Sequence, residues 1–97
     1  MIMTYFAVTY SYSPDSEAVV ELRPTHREFI ATLLAEGNIV GSGPFTDGEG
    51  GALIVIALPE GSNLVDAETL MNNDPFYKEG VLENRTIQTW NPVSKIF

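Results

Sequence analysis

The only histidine of the chain, His26, is the first candidate for chemistry. Phe29, Ile30 and Leu33 follow it at i+3, i+4 and i+7, so a helix places the imidazole on the same stripe as apolar core side chains. Pro24 suits the first turn of that helix, where the macrodipole disfavours a positive charge. We therefore expect a partly buried, neutral imidazole, which is a competent general base. The competing interpretation is a core histidine whose ring binds a backbone carbonyl.

Asp74 is the candidate partner of this histidine. An aspartate followed by Pro75 is typical of a helix N-cap with proline at the first helical position, and that structural role alone explains the pair. In the functional interpretation, Asp74 reaches His26, orients its ring and stabilises the imidazolium that forms during proton transfer. Two helices that lie side by side permit this contact without requiring it.

Two further residues are candidates for substrate binding, to an anionic or a hydroxyl group. Arg23 lies three residues before His26 and close to the same helix face. Ser42 lies in the segment GSGP at residues 41–44. This segment is not a phosphate loop, because it belongs to a strand and lacks the lysine of that motif. Its glycines favour a bent backbone or a close approach to a ligand or a neighbouring chain.

Composition excludes several classes of function. Thirteen acidic residues against five Lys/Arg give a net charge of −8, which argues against a nucleic-acid partner. The absence of cysteine excludes disulfides and thiol catalysis, and a single histidine excludes a multi-histidine metal site within one chain. We therefore predict no metal and no cofactor.

The N-terminus lacks the features of a signal peptide, and the longest apolar run, residues 52–58, is too short to span a membrane. A cytoplasmic protein without membrane contact is the expectation.

The order of apolar patterns and breakers predicts one domain over residues 1–97, with a C-terminal tail at residues 91–97. Strands are predicted at residues 5–12, 39–45, 51–58 and 82–90, and helices at residues 24–36 and 64–72, followed by a short turn or helix that ends at Gly80. Residues 17–22 are an open alternative for a separate helical turn before the first helix. The order βαββαβ is that of an α+β, ferredoxin-like fold. In that fold a four-stranded antiparallel sheet carries both helices on one face.

Within the third predicted strand, residues 52–58 are all apolar. A continuous apolar strand is expected where both faces of a sheet are buried. Because a two-layer domain leaves one sheet face open, we predict a homodimer in which the open faces of two subunits pack together. The alternative is a central strand whose exposed face is mildly apolar.

Several short motifs follow one another in a recognisable order. They are YFAV at residues 5–8, RPTH at 23–26, GP at 43–44, GALIV at 51–55 and DPF at 74–76. In this order they resemble the YCII-related family over about residues 3–90. The resemblance implies a dimeric α/β barrel of ferredoxin-like subunits, related to muconolactone isomerase. It also implies a catalytic pair that corresponds to His26 and Asp74, while the role of Arg23 in the family is less clear. Some relatives take part in the degradation of chlorinated or hydroxylated aromatics, including dehydrochlorination.

Two classes of function follow from these residues. The first is a cofactor-independent enzyme in which His26 and Asp74 perform general acid–base chemistry on a small cyclic or aromatic molecule. The reaction would be an elimination, an isomerisation or a hydrolysis. The alternative is a module that binds a metabolite or dimerises without catalysis. A third interpretation, haem ligation by His26, rests only on the ability of one histidine to serve as an axial ligand.

Overall fold

The computed structural model describes residues 2–97, which form one sheet and three helices. The elements in chain order are β1 (Met3–Ser11), α1 (Glu17–Ala35), β2 (Ile39–Pro44), β3 (Ala52–Pro59), α2 (Leu64–Met71), α3 (Pro75–Lys78) and β4 (Asn84–Trp90). The strand order is β2-β3-β1-β4, and each neighbouring pair is antiparallel. The predicted α+β, ferredoxin-like fold is therefore confirmed.

The core lies between one face of the sheet and the helices. Alternate residues of β1 point into it, and Phe6, Val8 and Tyr10 are buried while the residues between them stay partly exposed. Their neighbours on β3, Ile54 and Ile56, are buried on the same face. The two-residue periodicity of a strand thus separates the core face from the open face. Among residues 2–97, no helix combines the length and the hydropathy needed to cross a bilayer.

The first helix begins earlier than its sequence predicts. Ser16 is the N-cap, its side-chain oxygen accepts from the backbone N–H of Val19 at 3.4 Å, and α1 starts at Glu17. The prediction that Pro24 opens this helix was wrong, because the cap and the burial of Val19 hold the turns before the proline. His26 therefore lies in the middle of α1, and the helix macrodipole does not act on it as expected.

The end of α1 was predicted correctly. Gly37 has φ +81°, its N–H donates to the carbonyl of Leu34 at 3.1 Å, and the N–H of Asn38 donates to the carbonyl of Leu33 at 2.8 Å. This pair of bonds is a Schellman motif, which turns the chain sharply after a helix. It directs the chain into β2, whose side chains complete one wall of the site described below.

A second glycine, Gly51, lies where the β2–β3 hairpin passes β1. Its φ is +93°, and a Cβ at this position would collide with the backbone carbonyl of Tyr10. The carbonyl of Gly51 accepts from the N–H of Phe45 at 2.9 Å and so closes the hairpin. Only a residue without a side chain permits both the backbone conformation and the close approach.

We expect Gly51→Ala to destabilise the protein more than Gly37→Ala. Both changes place a side chain at positive φ, which costs about 1–2 kcal/mol, but Gly37 has open space around it. At Gly51 the collision with Tyr10 adds to that cost, and we expect a total loss of about 3 kcal/mol or more. Urea unfolding of the two variants measures the difference. Equal losses would show that the close approach to β1 is unimportant.

Candidate active site

The carboxylate of Asp74 lies in the protein interior with no exposure to solvent. Three donors from three different elements surround it. Nδ1 of His26 on α1 lies 2.9 Å from both carboxylate oxygens. The hydroxyl of Tyr10 on β1 donates to Oδ2 at 2.8 Å, and the backbone N–H of Phe76 donates to Oδ1 at 3.0 Å. A buried carboxylate is tolerated when hydrogen bonds of this kind compensate for lost hydration.

These contacts define which nitrogen of His26 is free for chemistry. An ionised carboxylate only accepts hydrogen bonds, so Nδ1 of His26 carries the proton that it shares with Asp74. In the neutral ring, Nε2 then holds a lone pair and is the nitrogen that accepts a proton. The sequence did not decide whether His26 contacts Asp74. The structure contains this contact, and it fixes the orientation of the imidazole.

The ring of Phe76 fixes the plane of the imidazole. The two rings stack with centroids 4.1 Å apart and an angle of 5° between their planes. Phe76 is buried and belongs to the turn of α3 that Asp74 caps, so one short segment supplies both the carboxylate and the stacking ring. Our sequence reasoning assigned no role to Phe76, although its place two residues after Asp74 was a usable signal.

Tyr10 is the second residue that sequence reasoning missed. Burial raises the pKa of its phenol, and the charge of Asp74 and their hydrogen bond raise the pKa further, while Arg85 opposes the shift. The phenol therefore stays protonated at neutral pH and remains a donor to Asp74. A tyrosine on the buried face of a strand needs a partner for its hydroxyl, and that rule was the available signal.

A pocket of about 150 Å³ lies beside His26, between α1, β2 and α3. Three of the predicted site residues, His26, Arg23 and Ser42, line it, and the fourth, Asp74, lies behind the imidazole. The remaining lining side chains are aromatic, aliphatic or cationic and come from Tyr12, Arg27, Ile30, Pro44, Ala52 and Phe76. The structure thus brings all four residues to one place, and it adds Arg27 and Tyr12, which the sequence analysis did not select.

We expect Tyr10→Phe to lower the free energy of unfolding by about 1.5–3 kcal/mol, the usual value of a hydrogen bond to a charged group. The ring and its packing are retained, so the loss reports the missing donor to Asp74. Tyr77→Phe is the matched control, since Tyr77 is 43% exposed and its change is expected to stay within about 0.5 kcal/mol. Chemical unfolding at pH 7 compares them. Similar stability of both variants would mean that Asp74 does not need this donor.

Solved structures of other proteins share this architecture. No curated protein matches the chain. Among solved structures, the fold is similar to 5-chloro-2-hydroxyhydroquinone dehydrochlorinase (TftG) from Burkholderia phenoliruptrix AC1100, in complex with 2,5-dihydroxybenzoquinone. The TM-score is 0.73 at 19% sequence identity, over 90% of this chain and 93% of that chain. At this identity the likeness establishes the fold.

The sequence itself establishes the family. The family model of the YCII-related domain matches residues 3–91, nearly the whole chain. This match confirms the resemblance carried by the ordered motifs, including the segments that contain His26 and Asp74. The chain belongs to the YCII-related family.

Proposed function

We propose that this protein is a cofactor-independent enzyme in which His26 acts as general base and acid on a small cyclic or aromatic molecule. One observation carries the proposal. The buried carboxylate of Asp74 holds Nδ1 of His26 at 2.9 Å, and the imidazole also lines a pocket. A base positioned in this way typically contributes about 10²–10⁴-fold to a rate.

The arrangement suits a proton transfer at a carbon or oxygen of the substrate. In an elimination, Nε2 of His26 takes a proton from the substrate, and the electron pair of the bond to that proton forms a double bond. The leaving group departs with the electron pair of the bond that joined it to the substrate. In an isomerisation, the imidazolium returns the proton to a different atom of the same molecule. Asp74 stabilises the imidazolium between these steps because its carboxylate accepts from Nδ1. In a hydrolysis, the same base activates a water molecule.

The size of the pocket supports a small substrate. Its volume of about 150 Å³ lies below the roughly 300–1,000 Å³ of pockets for drug-sized ligands. A single ring is consistent with this volume, whereas a porphyrin needs more room, which argues against the haem interpretation. The similar dehydrochlorinase was solved with a single-ring quinone, and this supports cyclic substrates of similar size. In this proposal Arg23 and Ser42, which line the pocket, bind polar substituents of such a ring.

We expect turnover of at least one compound from a panel of substituted muconolactones and chlorohydroquinones. His26→Ala should lower that turnover by about 10²–10⁴-fold, because it removes the base. Asp74→Asn should lower kcat while the pocket still binds substrate, because the amide no longer stabilises the imidazolium. Product formation followed by chromatography measures both effects. Turnover that survives His26→Ala would remove this residue from the chemistry, and binding without any turnover would favour a metabolite-binding module.

We also propose that the protein is a cytoplasmic homodimer. On the open face of the sheet, Leu53 is 39% exposed and Val55 is partly exposed. Gly43 and Gly41 lie beside them on β2 and present no side chains, so a second sheet can approach closely. At the other end of this face, the tail returns and the ring of Phe97 packs on Tyr5 at 5.5 Å. The part of this face formed by β2 and β3 thus offers an apolar surface for a second subunit.

Sedimentation at micromolar concentration should show a dimer for the wild-type protein. Leu53→Lys should shift it to a monomer, because it places a charge within the proposed interface. Val65→Lys is the control, since Val65 is 65% exposed on α2, on the opposite side of the sheet. A wild-type monomer, or a dimer unaffected by Leu53→Lys, would contradict this assembly.

A further inference from the structure

Two cationic side chains of this acidic chain lie at the pocket. The sequence has a net charge of −8 and only five Lys/Arg, yet two of these residues, Arg23 and Arg27, line the same cavity of about 150 Å³. They lie four residues apart on α1, so their side chains project from the same side of the helix. Between them in sequence is His26, whose imidazole lines the same cavity. The cations and the proposed base therefore share one small space.

In the part of the chain that the structure describes, no acidic side chain forms an ion pair with Arg23 or Arg27. Across residues 2–97, the ion-pair contact within 4.0 Å is that of His26 with Asp74. The sequence contains thirteen acidic residues, so carboxylates are abundant, but none is placed on these two guanidinium groups. Arg23 is only partly exposed, and a partly buried cation without a counter-charge is costly unless something else supplies one.

A polar group of the chain completes this end of the pocket. Tyr12 is buried and lines the cavity beside the two arginines. Burial raises the pKa of its phenol, and the positive charges of Arg23 and Arg27 act in the opposite direction. The hydroxyl is a neutral donor at neutral pH. The pocket thus has a cationic, donor-rich end and an apolar end formed by Phe76, Ile30 and Ala52.

We propose that the pocket binds its ligand through a carboxylate held by Arg23 and Arg27, with the carbon skeleton of the ligand directed to His26. This inference rests on the proposed function and adds the class of substrate: a single-ring or short-chain carboxylic acid. Guanidinium groups are planar forks that match the geometry of a carboxylate and bind it with two parallel hydrogen bonds. The cavity volume limits the rest of the molecule to about one ring. Arg27 becomes a specificity-determining residue.

The single histidine makes the test specific to this pocket. In a ¹⁵N-labelled protein, the imidazole resonances of His26 report occupancy directly, and no other side chain overlaps with them. Benzoate is the anionic probe, hydroquinone is a neutral ring of similar size, and inorganic phosphate is an anion without a ring. We expect benzoate to shift the His26 resonances in a saturable manner, with at least tenfold higher affinity than either of the other probes.

Arg27→Gln should weaken benzoate binding at least tenfold, because it removes one of the two cations, and should leave the weak binding of hydroquinone unchanged. Arg27 is exposed, so the variant is expected to fold, and thermal melting confirms this. Lys95→Gln is the matched control: it removes the same charge at the tail, where Lys95 lies near Tyr5 and away from the pocket. Its benzoate affinity should equal that of the wild type.

Equal benzoate affinity of the wild type and Arg27→Gln would overturn the inference, as would hydroquinone or phosphate binding as tightly as benzoate. This failure is separable from failure of the proposed enzyme. If turnover depends on His26 but its substrates are neutral and their KM is unaffected by Arg27→Gln, the enzyme stands and the carboxylate site does not. If benzoate binds as expected and no carboxylic acid or quinol is converted, the site stands and the proposed catalysis does not.

Discussion

The charge of Asp74 is fully buried, and an uncompensated ion in that position costs several kcal/mol. The surrounding elements are arranged to prevent that cost. β1 contributes a hydroxyl, α1 contributes an imidazole N–H, and the first turn of α3 contributes a backbone N–H. The sheet, the long helix and the short helix therefore meet at one carboxylate. The hydrogen bond from His26 to Asp74 also fixes the tautomer of the imidazole. One set of contacts therefore stabilises the buried carboxylate and orients the base for proton transfer.

The fold was predictable where local chemistry determines it. The aromatic and β-branched residues of β1, the glycine after α1 and the Asp74-Pro75 pair each indicate their structure through short-range sterics and hydrogen bonds. The start of α1 was not predictable in this way. Pro24 is favoured at a helix N-terminus, but here the Ser16 cap and the burial of Val19 extend the helix before it. Ser16 and Pro24 are both local signals for the start of a helix, and the burial of Val19 favours the earlier start.

The candidate site was predictable in part. The inward position of His26 followed from helical spacing, and Asp74 was recognisable as a cap. The two interpretations of Asp74, as N-cap and as histidine partner, are compatible, because Oδ1 accepts from Phe76 while both carboxylate oxygens lie within 2.9 Å of His26. Tyr10 and Tyr12 could not be assigned from spacing. Their roles depend on which residues of distant elements face them, and a strand pattern shows only that they point inward.

The contacts around Asp74 join parts of the chain that are far apart in sequence. Tyr10 is 64 residues from Asp74 and His26 is 48 residues from it. Before contacts of such long range form, the chain must lose the conformational entropy of closing the loops between the residues that they join. The site therefore cannot form in an early hairpin, because its residues extend from Tyr10 to Phe76. It assembles when the segment with Asp74 and Phe76 docks on β1 and α1, so an intact His26–Asp74 contact is a sign that these distant parts of the chain have come together.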